Sequence, residues 1–253
     1  MILITGASSG IGQACAEQLA RLKKNLFLVA RRGERLKKLQ SKLTKENGVQ
    51  VESAELDISD RKAVEGFGNR YRNQLDAVEV LINNAGLAVG RELIQEGNPS
   101  DWEMMWDVNV KGLLYITHQI LPGMVNRKRG HVVNLGSVAG RWVYPRGNIY
   151  CATKRAVSAL TESLRLDLVG TGIRVTEISP GMVETEFSLV RFGGDAQKAH
   201  AIYEGMKPLT AADIAETIVW AIQRPEHVNI QEIVVFPTQQ ASTTSVHRTT
   251  SPK

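Results

Sequence analysis

The sequence predicts a single α/β domain in which helices cover both faces of a doubly wound parallel sheet of about seven strands. Short apolar runs of strand length alternate along the chain with segments whose apolar residues recur at helical spacing. A glycine-rich turn follows the first apolar run directly and precedes the first helical segment. The 253 residues, 43% of them hydrophobic and 23% charged, suit one large domain, and neither a repeat nor a linker divides them.

Strand and helix patterns alternate in the order that a parallel sheet requires. Amphipathic helices are predicted after the first two strands, and a longer helix is predicted from residue 150 to about residue 168. Connections of this length join parallel strands by right-handed crossovers. The predicted strands are residues 2–4, 26–30, 49–56, 78–82, 132–137, 173–178 and 233–236, and the last of them is expected to be buried.

Several helix ends have sequence signals of their own. Ser100 followed by Glu103 has the pattern of a capping box, so we expect a helix to begin there. Thr210 and Asp213 have the same spacing and predict the start of the last helix. A Gly-Thr-Gly sequence ends the long helix before the sixth strand.

The positive charge is concentrated in one part of the chain. The net charge is +5, but residues 21–45 contain ten Lys and Arg residues and one acid, Glu34, which gives that segment a net charge of +9. The segment lacks the interleaved aromatic residues of a base-stacking surface, so we expect no nucleic-acid partner. We interpret it as a solvated face that also steers an anionic cofactor.

Cysteine content and hydropathy predict a cytoplasmic protein. Cys15 and Cys151 are the only cysteines and give no disulfide framework, which suits a reducing compartment, and no metal site is expected. Met1 runs straight into a strand, which leaves no room for a signal peptide. No apolar run approaches the ~20 residues that a membrane helix needs.

The glycine-rich turn predicts a dinucleotide site. Its glycines have the spacing G-x-x-x-G-x-G, which permits a sharp turn, close approach of the backbone to a pyrophosphate, and tight packing of helix on sheet. The amino terminus of the following helix then faces the phosphates. The residues expected to bind them are Gly6, Ser8, Ser9, Gly10, Ile11 and Gly12.

The end of the second strand predicts the choice of cofactor. Proteins that bind NAD usually place Asp or Glu here, about 20 residues after the glycines, on the ribose 2′-hydroxyl. This chain has Arg31 and Arg32 instead. Guanidinium groups bind a 2′-phosphate through paired hydrogen bonds, whereas a carboxylate repels it. The sequence therefore predicts NADP(H).

A tyrosine and a lysine four residues apart predict proton-transfer chemistry. In a helix, Tyr150 and Lys154 lie one above the other on a single face. A nearby ammonium favours the phenolate, so we expect Lys154 to lower the phenol pKa of Tyr150 from about 10 and to make it a general acid/base. Ser137, at the end of the fifth strand, is placed to donate a hydrogen bond to the same substrate oxygen.

The motifs together resemble the short-chain dehydrogenase/reductase family over nearly the whole chain. The resemblance implies a Rossmann-like fold and reversible hydride transfer between NADP(H) and a carbon that bears a hydroxyl or carbonyl group. The motifs that carry it are Thr5-Gly6…Gly10-Ile11-Gly12, Asn83-Asn84-Ala85-Gly86, Asn109, Ser137, Tyr150…Lys154 and Pro180-Gly181.

The resemblance also implies roles for individual residues. Asp57, with Ile58 beside it, faces the adenine, although an Asp at this position is also a good helix cap. Asn109 extends a proton relay from Tyr150 through Lys154, which also holds the nicotinamide ribose. Asn84, Ala85 and Gly86 line the adenosine and the central crevice, while Pro180, Gly181, Val183 and Thr185 hold the carboxamide and phosphates.

The substrate is predicted from the carboxyl-terminal third. Residues 181–192 and 236–242 resemble the NADP-dependent 3-hydroxy acid dehydrogenases, which oxidise serine, allo-threonine and small 3-hydroxy acids. One alternative is a broad NADPH-dependent carbonyl reductase that acts on neutral ketones or aldehydes. Another is a redox sensor or interaction protein that binds NADPH without turnover, although such a protein has no need of Ser137, Tyr150 and Lys154.

We expect residues 1–238 to form the catalytic domain, with a substrate lid at about 187–206 and a polar tail at 239–253. An anionic substrate needs a cation near Tyr150, because an unpaired charge in a closed pocket is costly. Arg191 in the lid is the first candidate and Arg146 the second, with Arg141 also near in sequence. The helices after Ser100 and Tyr150 predict a homotetramer by apolar pairing: Trp102, Met105, Trp106, Leu113, Leu114 and Ile116 lie on the first of them.

Overall fold

The strands of the main sheet all run in one direction. The computed structural model describes residues 1–249. In chain order the strands are β1 (Ile2–Thr5), β2 (Leu26–Ala30), β3 (Val51–Glu55), β4 (Val80–Asn83), β5 (Gly130–Leu135), β6 (Ile173–Pro180), β7 (Val183–Glu184), β8 (Leu209–Thr210) and β9 (Glu232–Val235). The main sheet has seven strands in the order β3-β2-β1-β4-β5-β6-β9, and β7 pairs with β8 apart from it. The predicted doubly wound sheet is confirmed.

Helices cover both faces of this sheet. They are α1 (Gly10–Arg21), α2 (Gly33–Asn47), α3 (Arg61–Arg70), α4 (Arg72–Asp76), α5 (Pro99–Trp106), α6 (Leu113–Arg127), α7 (Val138–Arg141), α8 (Asn148–Asp167), α9 (Glu186–Arg191), α10 (Ala196–Ala201) and α11 (Ala211–Ile222). A π-helical segment, Asp107–Gly112, joins α5 to α6.

Neighbouring residues of the central strands pack on opposite faces of the sheet. In β1, Ile2 and Ile4 pack with side chains of α1, α2 and α11, whereas Leu3 packs with side chains of α3 and α6. Both faces are therefore buried, which explains why these strands appear in the sequence as continuous apolar runs.

The strand order reverses beside β1. The chain moves outward from β1 to β3 and then returns to β4 on the other side of β1. The loops that follow β1 and β4 therefore leave the sheet in opposite directions, and a crevice opens between them at the carboxyl ends of the strands. Ligands bind at this position in doubly wound folds.

The start of α5 and the burial of the last strand differ from the predictions. Helix α5 begins at Pro99 and is capped by Asn98, whose side chain accepts a hydrogen bond from the Ser100 amide at 3.1 Å. Pro at the first helical position costs no hydrogen bond, because an N–H at that position would have no acceptor within the helix. Strand β9 is half-buried rather than buried because it forms the edge of the sheet, and Val234 is 37% exposed.

Part of the predicted polar tail is folded against the rest of the chain. Gln240 is buried and accepts a hydrogen bond from the Met182 amide at 2.8 Å, and the Thr249 amide donates to Gly205 O at 2.7 Å. The remainder of the tail, 250–253, lies outside the described residues. Between residues 1 and 249 no helix has the length and apolar content needed to cross a membrane.

Candidate active site

A cleft of about 850 Å³ opens at the carboxyl ends of the central strands. It runs from the glycine turn after β1, past Tyr150, to α9 of the predicted lid. A cavity of this size suits a ligand larger than a simple substrate. Every predicted cofactor residue except Gly12 lines it: Gly6, Ser8, Ser9, Gly10, Ile11, Arg31, Arg32, Asp57, Ile58, Asn84, Ala85, Gly86, Tyr150, Lys154, Pro180, Gly181, Val183 and Thr185.

The glycine turn is fixed to the loop after β4. Gly6 has a φ of 64°, and a Cβ there would lie 2.9 Å from the Ala85 Cα atom. Gly12 does not line the cleft; a Cβ at that position would lie 2.5 Å from both Asn84 Nδ2 and Gly6 O. Asn84 Nδ2 donates to Thr5 O at 2.9 Å. Gly6 thus shapes the ligand side of the turn, whereas Gly12 permits close packing beneath it.

The arginines after β2 lie at one end of the cleft. Arg32 donates from Nε to Ser8 Oγ at 3.1 Å and from Nη2 to Ser9 Oγ. Arg31 lies 3.8 Å from the Asp57 carboxylate in a solvent-exposed pair. Two guanidinium groups and two hydroxyls therefore surround the position where the sequence predicts a 2′-phosphate.

Asp57 has a local partner but caps no helix. Its Oδ1 accepts from the amide and the hydroxyl of Ser59, at 2.9 and 2.6 Å. The cap of α3 is Asp60, which accepts from the Ala63 amide at 3.0 Å. Asp57 and Ile58 both line the cleft, where they can contact a bound ligand.

The predicted proton-transfer residues lie together in the middle of the cleft. Ser137, Tyr150 and Lys154 are all buried and line the cavity, with Tyr150 and Lys154 on one face of α8. Lys154 Nζ donates to Leu135 O at the end of β5, at 2.7 Å. Ser137 Oγ accepts from the Ala139 amide at 3.1 Å and lies near enough to Tyr150 to lower the pKa of its phenol. Hydroxyl, phenol and ammonium thus meet where a substrate oxygen can reach them.

Burial controls the protonation of Tyr150 and Lys154. Removal from water raises the pKa of the Tyr150 phenol well above its usual range, and nearby Tyr144 raises it further, whereas the Ser137 hydroxyl and the Arg191 charge lower it. Burial also lowers the pKa of the Lys154 ammonium to about 8. The expected lowering of the Tyr150 pKa by Lys154 is therefore reversed in net direction, because desolvation dominates.

Asn109 lies in the π-helical segment rather than in a regular helix. It is buried, and its side-chain amide makes both hydrogen bonds to the backbone of Leu87 at 2.8 Å, with a further bond from Nδ2 to Thr153 Oγ1 at 3.1 Å. It does not line the cleft, but it adjoins Lys154: a Cβ on Gly86 would lie 3.2 Å from Asn109 Oδ1 and 3.5 Å from Lys154 Nζ. Asn109 thus joins the π-segment to the wall of the site.

Arg191 lines the cleft beside Tyr150. Its guanidinium is 5.6 Å from the ring centroid of Tyr150 and 5.7 Å from that of Tyr144. It donates from Nη1 to the Tyr144 hydroxyl at 2.9 Å and from Nε to Gly90 O at 3.3 Å. The ring of Phe187 packs on that of Tyr150 at 5.6 Å. The structure therefore places a cation directly beside the candidate acid/base.

The other two predicted cations lie outside the cleft. Arg146 is exposed and donates to Arg91 O at 3.3 Å, and Arg141 forms an ion pair with Glu232. Arg91 lines the cavity in their place. Arg91 and Tyr144 were missed from the sequence because both occur in connections without periodicity, where no local pattern distinguishes a cleft residue from a surface residue.

The carboxyl-terminal segment also contributes to the cleft. Arg248 donates to Ile202 O at 2.8 Å and to Glu204 O, just after α10. The polar composition that predicted a tail gave no signal for this contact. The lining residues from this segment are Gln240, Thr243, Thr244, Val246 and Arg248.

Comparison with known proteins identifies the class. The family model of the short chain dehydrogenases matches residues 1–191. A sulfoacetaldehyde reductase of Chromohalobacter salexigens is 45% identical over 95% of both chains. An NADP-dependent 3-hydroxy acid dehydrogenase of Salmonella typhi is 44% identical over 98% of this chain and 99% of its own. The chain belongs to the short-chain dehydrogenase family, as the motifs predicted.

Solved structures agree with this placement. A serine dehydrogenase in a closed form with NADP⁺ superposes with a TM-score of 0.90 at 41% identity and covers 98% of this chain and 99% of its own. An alcohol dehydrogenase of Thermococcus sibiricus, complexed with 5-hydroxy-NADP, has a TM-score of 0.83 at 30% identity, with 94% and 97% of the two chains covered.

Proposed function

We propose that this chain is an oxidoreductase that transfers a hydride reversibly between NADP(H) and a small 3-hydroxy acid, such as serine or allo-threonine. One observation carries the proposal. A single cleft contains Arg31 and Arg32 at one end and Ser137, Tyr150 and Lys154 in the middle, with the Arg191 guanidinium over the Tyr150 ring.

The chain has the features that an NADP(H) site needs. The glycine turn leaves the backbone open to a pyrophosphate, and Arg31 and Arg32 stand where an enzyme that uses NAD would have a carboxylate. When bound, NADP(H) supplies or accepts the hydride, and the protein orients the reactants and transfers the proton. The residues present therefore fit this cofactor, and relatives at 44% and 41% identity are NADP-dependent or contain NADP⁺.

Three side chains take part in proton transfer to and from the substrate oxygen. Tyr150 gives a proton to a carbonyl oxygen in reduction and removes one from a hydroxyl in oxidation. Ser137 donates a hydrogen bond that orients that oxygen, and Lys154 provides positive charge below Tyr150 on the same helix face. Asn109 supports this arrangement through the π-helical segment.

The substrate proposal depends on Arg191 and Arg91. Both line the substrate end of the cleft, and a guanidinium suits a carboxylate because it forms two parallel hydrogen bonds. A sulfonate presents the same negative charge, and one relative at 45% identity is a sulfoacetaldehyde reductase. The proposed substrate class is therefore a small molecule with an anionic group close to the reacting carbon.

Steady-state rates test the proposal. We expect kcat/KM with NADP⁺ to be higher for serine, allo-threonine and 3-hydroxybutyrate than for neutral secondary alcohols of the same size. Reduction of sulfoacetaldehyde with NADPH belongs in the same panel. Equal or higher rates with neutral substrates favour a broad carbonyl reductase, and tight NADPH binding without turnover favours a sensor.

We also propose a homotetramer in the cytoplasm. Large apolar side chains remain exposed on three helices in the segments expected to pair: Met104 and Trp106 on α5, Leu114 on α6 and Leu166 on α8. Three residues assigned to this face from the sequence instead pack inside the subunit: Met105, Leu113 and Ile116. The compartment is supported by Cys15 and Cys151, both free and buried. A monomer in sedimentation at micromolar concentration would contradict the assembly.

A further inference from the structure

Glu186 reaches from the start of α9 to Arg32 and Arg35 at the far end of the cleft. It is the first residue of α9, and its side chain also lines the cavity. Its Oε2 accepts from Arg32 Nη1 at 2.7 Å, and its Oε1 accepts from Arg35 Nη1 at 2.7 Å. The hydrogen bonds from Arg32 and Arg35 lower the pKa of the Glu186 carboxyl, so the group is ionised at neutral pH.

The carboxylate takes donors that a phosphate would need. The three guanidinium nitrogens of Arg32 donate to Ser8, Ser9 and Glu186, so each already has a protein acceptor. Arg32 immediately precedes α2 and Arg35 lies in its first turn, and both side chains donate to Glu186. The motif that predicts phosphate binding by arginine thus coincides in space with an acidic side chain from a distant part of the chain.

The net charge around Arg32 and Arg35 indicates whether the Glu186 carboxylate and a bound phosphate would compete for these arginines. Arg32, Arg35 and Glu186 carry a combined charge of +1, and a phosphate monoester brings about −1.5 to −2. The combined site would then be negative, and the carboxylate and phosphate would share the same donors. Without the carboxylate, the two arginines and the phosphate come close to neutrality.

We propose that Glu186 competes with the 2′-phosphate of NADP(H) for Arg32 and Arg35, and thereby determines how strongly the enzyme prefers NADP(H) to NAD(H). The inference rests on the proposed use of NADP(H). NAD(H) has a hydroxyl in place of the phosphate, so it neither displaces the carboxylate nor is repelled by it to the same extent. Glu186 is a specificity-determining residue and takes no part in the chemical step.

Glu186→Gln tests this, because it removes the charge and keeps the shape. The dissociation constants of NADPH and NADH are measured by cofactor fluorescence at one fixed ionic strength. Exposed ion pairs contribute modestly, so we expect NADPH to bind about 3- to 10-fold more tightly and NADH to change less than about twofold. Glu184→Gln is the matched control, since Glu184 is exposed two residues away and forms no ion pair within residues 1–249.

The wild-type protein separates this inference from the proposed cofactor. If it binds NADPH no more tightly than NADH, the cofactor assignment fails. If it prefers NADPH but Glu186→Gln leaves NADPH affinity unchanged or weaker, the carboxylate is not a competitor. The proposal is also overturned if Glu186→Gln raises the affinity for NADH as much as that for NADPH, or if Glu184→Gln raises the affinity for NADPH equally. The proposal is supported if the affinity for NADPH, and not that for NADH, rises in Glu186→Gln and stays unchanged in Glu184→Gln.

Discussion

Replacement of Arg191 by Ala is the most direct test of the anion site. The guanidinium lies 5.6 Å from the ring centroid of Tyr150, and Nη1 donates to the Tyr144 hydroxyl at 2.9 Å. The variant removes this positive charge from the substrate end and leaves the predicted cofactor residues unchanged. Its effect should therefore depend on whether the substrate is charged.

The expected size follows from one charge-assisted interaction. A hydrogen bond to a charged group contributes about 1.5–3 kcal/mol, which corresponds to a loss of about 10- to 150-fold in kcat/KM for an acidic substrate. Arg191 also lowers the pKa of Tyr150, so some loss is shared by all substrates. A neutral alcohol measures this shared loss, and the ratio of the two losses isolates the contact with the substrate anion.

The assay compares serine with a neutral secondary alcohol of similar size at saturating NADP⁺. Arg146→Ala is the matched control, because Arg146 has the same charge but is exposed and outside the cleft. We expect that control to leave kcat/KM for both substrates within about twofold of wild type, as surface substitutions usually do. Equal losses for serine and the alcohol in Arg191→Ala would refute the anion site and weaken the case for an acidic substrate.

Three other variants test the proton donor, the cofactor pocket and the core. Tyr150→Phe should lower kcat by ~10²–10⁴-fold with little change in NADPH affinity, and retention of most of the wild-type kcat would exclude Tyr150 as the acid/base. Arg31→Asp should shift kcat/KM from NADP⁺ towards NAD⁺, because a carboxylate repels the 2′-phosphate; an unchanged preference contradicts this. His131→Asn should flatten the acid side of the stability profile. Burial lowers the pKa of His131 to about 3 from 6.5, so between these values only the unfolded state gains the proton. The wild-type free energy of unfolding therefore falls with falling pH by about 1.4 kcal/mol per unit for this group. Urea unfolding from pH 7 to pH 4 measures the slope, exposed His118→Asn is the control, and equal slopes in the two variants count against the argument.

Much of the fold was predictable because its signals are local. The glycine turn after β1 follows from a backbone requirement within a few residues, and Gly6 does adopt a positive φ. The capping box of Thr210 and Asp213 has both of its hydrogen bonds. Strand alternation with helices fixes a parallel sheet, and that sheet brings the residues after each strand to one edge. The crevice was therefore predictable before any contact was known.

The substrate end was not predictable because its contacts join distant, aperiodic segments. Arg91 and Tyr144 come from loops, and Arg248 comes from a segment whose composition predicted a tail. Glu186 meets Arg32 across 154 residues. Such pairs depend on tertiary packing, which residue spacing does not encode. The Tyr150 pKa was misjudged for a related reason: the sequence shows the neighbouring Lys154 but not the extent of burial.

Burial disfavours the charged form of both Tyr150 and Lys154, although a pKa of about 8 leaves Lys154 mostly protonated at pH 7. Burial raises the pKa of the phenol and lowers that of the ammonium to about 8, so the neutral phenol is the favoured form. A neutral phenol is ready to protonate a carbonyl oxygen, whereas oxidation of an alcohol needs the phenolate. The groups in this chain that lower the Tyr150 pKa are the Ser137 hydroxyl and the Arg191 charge. The same Arg191 guanidinium that is proposed to hold the substrate anion also lowers the pKa of Tyr150 and makes its phenolate easier to form. The proposed recognition of the substrate anion and the ionisation of Tyr150 therefore both involve one side chain.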